Sequence, residues 1–432
     1  MKEAGEHSPD STIAITEGSI NRGTGSSGER ASKACIREGG LHMESDFAMK
    51  PPVAILFANL KGNIGDFAIL HAMLLDLKRT FPGQPLHVFS HGFYNIDERR
   101  FTAFRASSDV EFELIGTTYF HKGAPKLLAR FVRLFGLWPV AQGYLVQSLT
   151  DRVTTHASQF REYDAIFLAG GDHWGGVRCG ISMFATLNAM HLHNNKIFTF
   201  PFSVNPGIGK YNSRRALQRN FRKLREPLIV RDGITKGVMD KLGIETIVGG
   251  DSVFSMQDLA DDIKPMESRD RARILFVLTG SSKKLEADLK AALRRVGQFN
   301  GGIALMTTCE LEDGKRGQAV AQEFGIPFYA PATWQEAVAE MKASSLLVTN
   351  RLHGLILGVL ANTPLLPVAN RKKTEAFVKD AQMPHSAANM HALTSGLIKS
   401  CLADRDAILE RMHHYQARTR NQARSPLADA LG

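Results

Sequence analysis

Short apolar runs alternate with stretches of helical periodicity along most of this chain, and that alternation restricts the fold more than any other feature. The runs fall at residues 53–57, 86–89, 165–168, 197–202 and 228–230, with helical patterns between them, for example at 182–193 and 213–224. Runs that are apolar throughout belong to strands buried on both faces of a parallel sheet. Strands separated by helices are the units from which such a sheet is wound. A charged stretch at 255–273, broken by Pro265, reads as a linker. A second series follows, with runs at 274–279, 303–306, 327–329, 346–349 and 365–368, and residues 397–424 read as one long terminal helix with a basic end. The expected class is α/β: two Rossmann-like domains, 51–262 and 271–395, facing a cleft, then a C-terminal helix and tail at 396–432. Ligands of such domains bind beyond the C-terminal ends of the strands.

At 432 residues, 44% hydrophobic and 22% charged, the chain has material for two globular domains. Residues 1–50 are rich in Gly, Ser, Glu and Arg and poor in aromatics, so they cannot bury enough apolar surface to offset their ordering entropy, and they read as disordered. The net charge of +10 favours anionic partners without choosing among them. Nucleic acid is not expected: the cluster Arg214, Arg215, Arg219, Arg222, Lys223 and Arg225 has only Phe221 interleaved and reads as a solvated face. Residues 126–138 form a basic amphipathic stretch that suits a core helix and also a peripheral position on a membrane surface. Four scattered cysteines and the lack of an apolar run of membrane-spanning length point to the reducing cytoplasm, with the inner face of the cell membrane open as a location. No His, Cys, Asp or Glu set has metal-ligand spacing, so no metal is expected.

Four strand-to-helix turns could carry chemistry. The first, Asn63-Ile64-Gly65-Asp66, offers the free N–H groups of a helix N-terminus, with Asp66 either capping that helix or holding a sugar hydroxyl. In the second, Gly170-Gly171-Asp172-His173-Trp174, the glycines would bring backbone N–H groups close to a ligand. There Trp174 could stack on a sugar face and His173 could meet a hydroxyl, or the turn could be purely structural. It lacks the lysine and hydroxyl residue of a P-loop, which disfavours ATP hydrolysis. The third places Arg231, followed by Asp232 and Thr235, at a strand end, where a planar guanidinium can grip a carboxylate or phosphate unless it simply pairs with Asp232. The fourth, Asn350-Arg351-Leu352-His353-Gly354, sets a cation and an imidazole at a helix start, with Lys373 after the next strand as a third cation.

Taken in this order, the motifs resemble the polysaccharide pyruvyl transferase family. The likeness rests on Asn63-Ile64-Gly65-Asp66, Gly170-Gly171, the run Arg231-Asp232, Thr235, Leu242-Gly243 and Asp251, and Arg351-Leu352-His353-Gly354 followed by Thr363-Pro364 and Lys373. It implies a fold like two-domain GT-B glycosyltransferases, phosphoenolpyruvate as donor, and a hexose of a surface polysaccharide or its lipid-linked precursor as acceptor. It also implies that Arg231, Arg351 and Lys373 hold the donor, that His353 moves protons, and that no cofactor is needed. Two departures, Asp172 where a third glycine is usual and Ser203-Val204-Asn205-Pro206 where glycines are common, fall on the acceptor side. The rival readings are a GT-B glycosyltransferase using a nucleotide sugar and a non-catalytic glycan-binding protein.

Overall fold

The computed structural model describes residues 50–91, 96–118, 158–174, 177–208, 214–266, 273–277, 283–297 and 302–431. The N-terminal stretch read as disordered, except Lys50, and the amphipathic stretch at 126–138 lie outside the described residues.

The first half holds β1 (Val53–Ala58), α1 (Ile64–Thr80), β2 (Leu86–His91), α2 (Glu98–Ser107), β3 (Glu113–Thr118), β4 (Ala165–Leu168), β5 (Gly171–Trp174), α3 (Val177–His191), β6 (Ile197–Thr199), β7 (Phe202–Val204), α4 (Arg214–Phe221), β8 (Ile229–Val230), α5 (Gly233–Leu242) and β9 (Ile247–Val248). These strands make a parallel sheet in the order β3-β2-β1-β4-β6 and a smaller parallel one in the order β5-β7-β8-β9. Every residue of β1 is buried, as expected of a strand covered on both faces. The apolar run 197–202, expected as one strand, is two strands in two sheets. Pro201 has no N–H to continue the ladder, and its carbonyl accepts instead from Gly171 N–H (3.3 Å). The chain thus creases twice side by side, between β4 and β5 and between β6 and β7.

A 3-10 turn at Ser252–Met256 and helix α6 (Gln257–Asp262) follow. The stretch expected to start a linker at residue 255 is therefore ordered, with Ser255, Met256 and Ala260 buried. The second half comprises β10 (Ile274–Val277), α7 (Lys283–Val296), β11 (Ile303–Met306), α8 (Lys315–Phe324), β12 (Phe328–Tyr329), α9 (Trp334–Lys342), β13 (Leu346–Thr349), α10 (Leu352–Leu360), β14 (Leu365–Pro367) and α11 (Lys372–Asp380). Its parallel sheet runs β12-β11-β10-β13-β14. In both large sheets the order reverses beside the first strand, at β1/β4 and at β10/β13, which opens a crevice at the strand ends. The candidate turns after β1 and β13 lie at those two points.

Residues 49–432 form one compact unit, and the halves meet through specific polar contacts. Ile64 N–H donates to Thr308 O (2.8 Å), and the Trp334 indole donates to His71 Nδ1 (2.9 Å). Fully buried Arg100 donates to both Gly62 O and Thr308 O. The expected single terminal helix is two, α12 (Ser395–Ala403) and α13 (Arg405–Leu431), parted at Asp404. Helix α13 returns to the first half. Arg420 pairs with Asp258 (2.6 Å), and the helix passes so close to Gly250 (φ +70°) that a Cβ there would overlap Thr419. Among the described residues no helix is long and apolar enough to cross a membrane.

Candidate active site

A cavity of about 870 Å³ lies between the halves. The first half lines it with Ser203, Arg231, Asp232 and Asp251; the second lines it with Asn350, Arg371, Lys372, Lys373 and Asp380, and α13 adds Tyr415.

Arg231 follows β8 and is almost fully enclosed. Its Nε donates to Ser203 Oγ (3.0 Å) and its Nη1 to Asp251 (2.9 Å), with side-chain exposures of 5% for Arg231 and 4% for Asp251. The pairing with its neighbour Asp232, considered from the sequence, does not form. Asp232 instead caps α5, accepting from Thr235 N–H (2.6 Å), and accepts from Ser203 Oγ (2.9 Å). Asp251, downstream of β9, is the partner that holds the guanidinium at the cavity wall.

The cations of the second half are arranged differently from expectation. Lys373 lines the cavity, joined by Arg371 and Lys372 at the N-terminal end of α11, where the helix dipole adds to the positive potential. Arg351, expected beside the donor, is not on the cavity wall. Its guanidinium bonds Asp313 and lies 3.4 Å from Glu312, both in the Glu310–Gly314 turn before α8. The cations that line the cavity from this half are Arg371, Lys372 and Lys373, of which only Lys373 stood out in the sequence.

His353 lies in the first turn of α10 and crosses to the first half. Its Nδ1 is 3.4 Å from Asn63 Nδ2, and its buried Nε2 has no hydrogen-bond partner among the described residues. With the Asn63 amide donating to Nδ1, the neutral ring carries its proton on Nε2. The ring packs onto α1 where only glycine fits, since a Cβ on Gly65 would overlap the imidazole. Burial lowers the His353 pKa to about 4; Arg231, Lys373 and Arg351 push the same way and Asp251 opposes.

Asp66 does not cap α1. Asn63 does, accepting from Gly65 N–H (3.2 Å). The Asp66 carboxyl accepts from Asn59 Nδ2 (2.6 Å), and the Asn63 amide that meets His353 also favours the charged form of Asp66, so Asp66, Asn63 and His353 are electrostatically connected across the halves. Burial raises the Asp66 pKa to about 7 against the pull of Arg231. These shifts give stability slopes of opposite sign. Between pH 4 and 6.5 the unfolded chain protonates His353 but the folded one does not, so this group makes stability rise with pH. Over pH 4 to 7 the folded protein keeps the Asp66 proton that the unfolded one has lost, so this group makes stability fall. Each slope is at most ~1.4 kcal/mol per pH unit. Relative to wild type, His353→Gln is therefore expected to lose thermal stability between pH 4.5 and 6.5 and Asp66→Asn to gain it, as read by Tm against pH. Parallel curves for both variants would contradict these assignments.

In the second candidate turn, the two glycines and the tryptophan serve the fold. Gly170 N–H faces Met73 Sδ (3.4 Å) and Gly171 N–H is used by Pro201 O, so neither is aimed at a ligand. Trp174, expected to stack on a sugar, is 1% exposed and packs 4.7 Å from Phe221 and 5.8 Å from Phe202. Burial of its large apolar surface in that aromatic cluster outweighs any ligand role. Asp172 and His173 belong to β5, and their side chains lie outside the described residues. Among the described residues, no three His, Cys, Asp or Glu side chains are grouped to hold a metal ion.

The architecture is shared with solved enzymes of sugar-nucleotide chemistry. UDP-GlcNAc 2-epimerase from Neisseria meningitidis, bound to UDP-GlcNAc, superposes with a TM-score of 0.57 at 10% identity over 88% of this chain and 99% of that one. MnaA of S. aureus with UDP gives 0.55 at 11% identity over 86% and 92%. The Methanocaldococcus jannaschii UDP-GlcNAc 2-epimerase gives 0.51 at 10% identity over 81% and 92%. Identities this low carry the fold alone, and that fold is GT-B-like. No curated protein matches the chain in sequence. Residues 63–372, most of the chain, match the family described as polysaccharide pyruvyl transferase. That span begins at the Asn63 turn and ends at the cations that open α11, and the chain belongs to the polysaccharide pyruvyl transferase family.

Proposed function

We propose that the protein transfers a pyruvyl group from phosphoenolpyruvate onto a hexose of a surface polysaccharide or its lipid-linked precursor, forming a cyclic ketal and releasing phosphate. The supporting observation is the cavity itself, whose wall gathers Arg231 from one half and Arg371, Lys372 and Lys373 from the other; His353 is not itself on that wall but lies within electrostatic reach of Arg231 and Lys373. Such a cradle suits a small polyanion.

The chemistry needs a proton on the donor's methylene carbon, which leaves C2 electrophilic. A sugar hydroxyl then attacks C2 and loses its proton, the C2–O bond to phosphate breaks, and a second hydroxyl closes the ring. The clustered cations stabilise the carboxylate and the leaving phosphate. Empty, the site keeps His353 neutral. A bound phosphate dianion raises the imidazole pKa again, so the ring gains its proton with the donor and can pass it on. Asp66, titrating near 7, is the second proton carrier of the site. Arg351 contributes from behind, holding the Glu310–Gly314 turn through Asp313. The proposed location is the cytoplasm, at the inner membrane face when the acceptor is lipid-linked.

Phosphate release from phosphoenolpyruvate across a panel of glycosides is the deciding assay. Glycoside-dependent release is expected, and Lys373→Ala should raise the KM for phosphoenolpyruvate about tenfold or more, as for loss of a charged hydrogen bond. Binding of UDP or UDP-GlcNAc without turnover of phosphoenolpyruvate would instead favour a nucleotide-sugar enzyme. Glycoside binding with no phosphate release would favour a non-catalytic role.

A further inference from the structure

Helix α11 runs along the cavity, and its wall-facing residues change character along its length. Lys373, Ala376, Phe377 and Asp380 all line the cavity, at the spacing of one helical face. At 1.5 Å per residue, the cation and the carboxylate stand roughly 10 Å apart along the axis. The cation end is the proposed donor side. At the other end Asp380 meets Asp232 from the opposite half and Tyr415 from α13. The Tyr415 ring is held edge-on between Phe254 (5.7 Å) and Phe377 (5.0 Å).

Asp380 is poorly placed for stability. It is the last residue of α11, where the helix dipole is negative, and Asp232 adds a like charge. Its backbone carbonyl accepts from Arg418 (2.7 Å), whose charge also reaches the carboxylate, but no described side chain hydrogen-bonds that carboxylate or the Tyr415 hydroxyl. Burial and Asp232 hold its pKa above the ordinary carboxylate value, against the pull of Arg418 and Lys379. A half-buried carboxylate with no hydrogen-bond donor among the described side chains, facing a cavity far larger than a three-carbon phosphate ester, matches a ligand that brings its own hydrogen-bond donors.

We propose that Asp380, Asp232 and Tyr415 form the acceptor subsite, which takes an uncharged, hydroxyl-rich sugar and rejects a uronate. Carboxylates accept hydrogen bonds from vicinal hydroxyls, and the phenol can donate as well as accept. Asp232 and Asp380 together repel a sugar that carries its own carboxylate. This rests on the pyruvyl-transfer reading for the identity of the acceptor, but not for the existence of the subsite.

The test compares wild type, Asp380→Asn and Tyr415→Phe with a neutral hexoside and the matching hexuronide. Calorimetry reads binding of each glycoside and of phosphoenolpyruvate, and phosphate release reads turnover. Asp380→Asn should weaken the neutral hexoside roughly tenfold or more, leave phosphoenolpyruvate affinity unchanged, and improve the hexuronide relative to wild type. Tyr415→Phe should weaken the hexoside less. Since Asp380→Asn removes a charge from the negative end of a helix, its Tm should not fall. Unchanged hexoside affinity in Asp380→Asn, or a wild type that prefers the hexuronide, would overturn the subsite. A wild type that binds no phosphoenolpyruvate, yet loses hexoside affinity on Asp380→Asn, would overturn the donor assignment and leave the subsite standing.

Discussion

Asp251→Ala is expected to destabilise the protein by about 3–5 kcal/mol, read as a lower denaturant midpoint at unchanged slope. The reason is the state in which it leaves Arg231. That guanidinium is 5% exposed and bonds Asp251 at 2.9 Å and Ser203 at 3.0 Å, so the substitution strands a charge that water barely reaches. Removing both charges is a different experiment. Arg231→Met with Asp251→Leu should recover most of the loss, because an apolar pair has no desolvation cost, yet it should bind no phosphoenolpyruvate. A cost below about 1 kcal/mol for Asp251→Ala would mean the pair behaves as a surface ion pair.

His353→Ala is expected to lower turnover by about 10²–10⁴-fold, the usual contribution of a positioned proton carrier, with a smaller change in the KM for phosphoenolpyruvate. The ring sits between Asn63 and Gly65 of one half and the cations of the other, so His353→Ala also leaves a cavity. His353→Gln, which fills more of that space, separates a local effect on kcat from a loss of fold when Tm is read beside turnover. Asn63→Ala supplies the complementary result. Loss of the Nδ1 partner frees the tautomer, so turnover should drop less than for His353→Ala while its pH profile shifts. Near-normal turnover in His353→Ala would remove the imidazole from the reaction.

The strands were readable where burial on both faces makes them wholly apolar. Residues 165–168, 303–306 and 346–349 coincide with β4, β11 and β13. Other elements lacked that signal. β5 is Gly-Asp-His-Trp, residues disfavoured in strands apart from the tryptophan, and β3 begins with Glu113 and includes Gly116. No Gly or Pro marks the break at Asp404, so periodicity carried one helix through it. In the site, the turns after β1, β8 and β13 were legible as charged residues following apolar runs. Their partners were not. The Arg231–Asp251 and Arg351–Asp313 pairs join residues separated by 20 and 38 positions, and the sequence does not say which carboxylate folds back. Trp174 was misread because a tryptophan after two glycines resembles a ligand platform, and only packing reveals three phenylalanines around it. Tyr415 reaches the cavity on a helix that follows both large sheets in the chain.

That return of α13 has a consequence for biosynthesis. Translation delivers both sheets before it delivers the segment that lays Thr419 on Gly250 and Tyr415 on the cavity wall. A ribosome-bound intermediate can therefore fold its sheets and still present an unfinished site, so catalytic competence arrives in a single late step rather than growing with chain length.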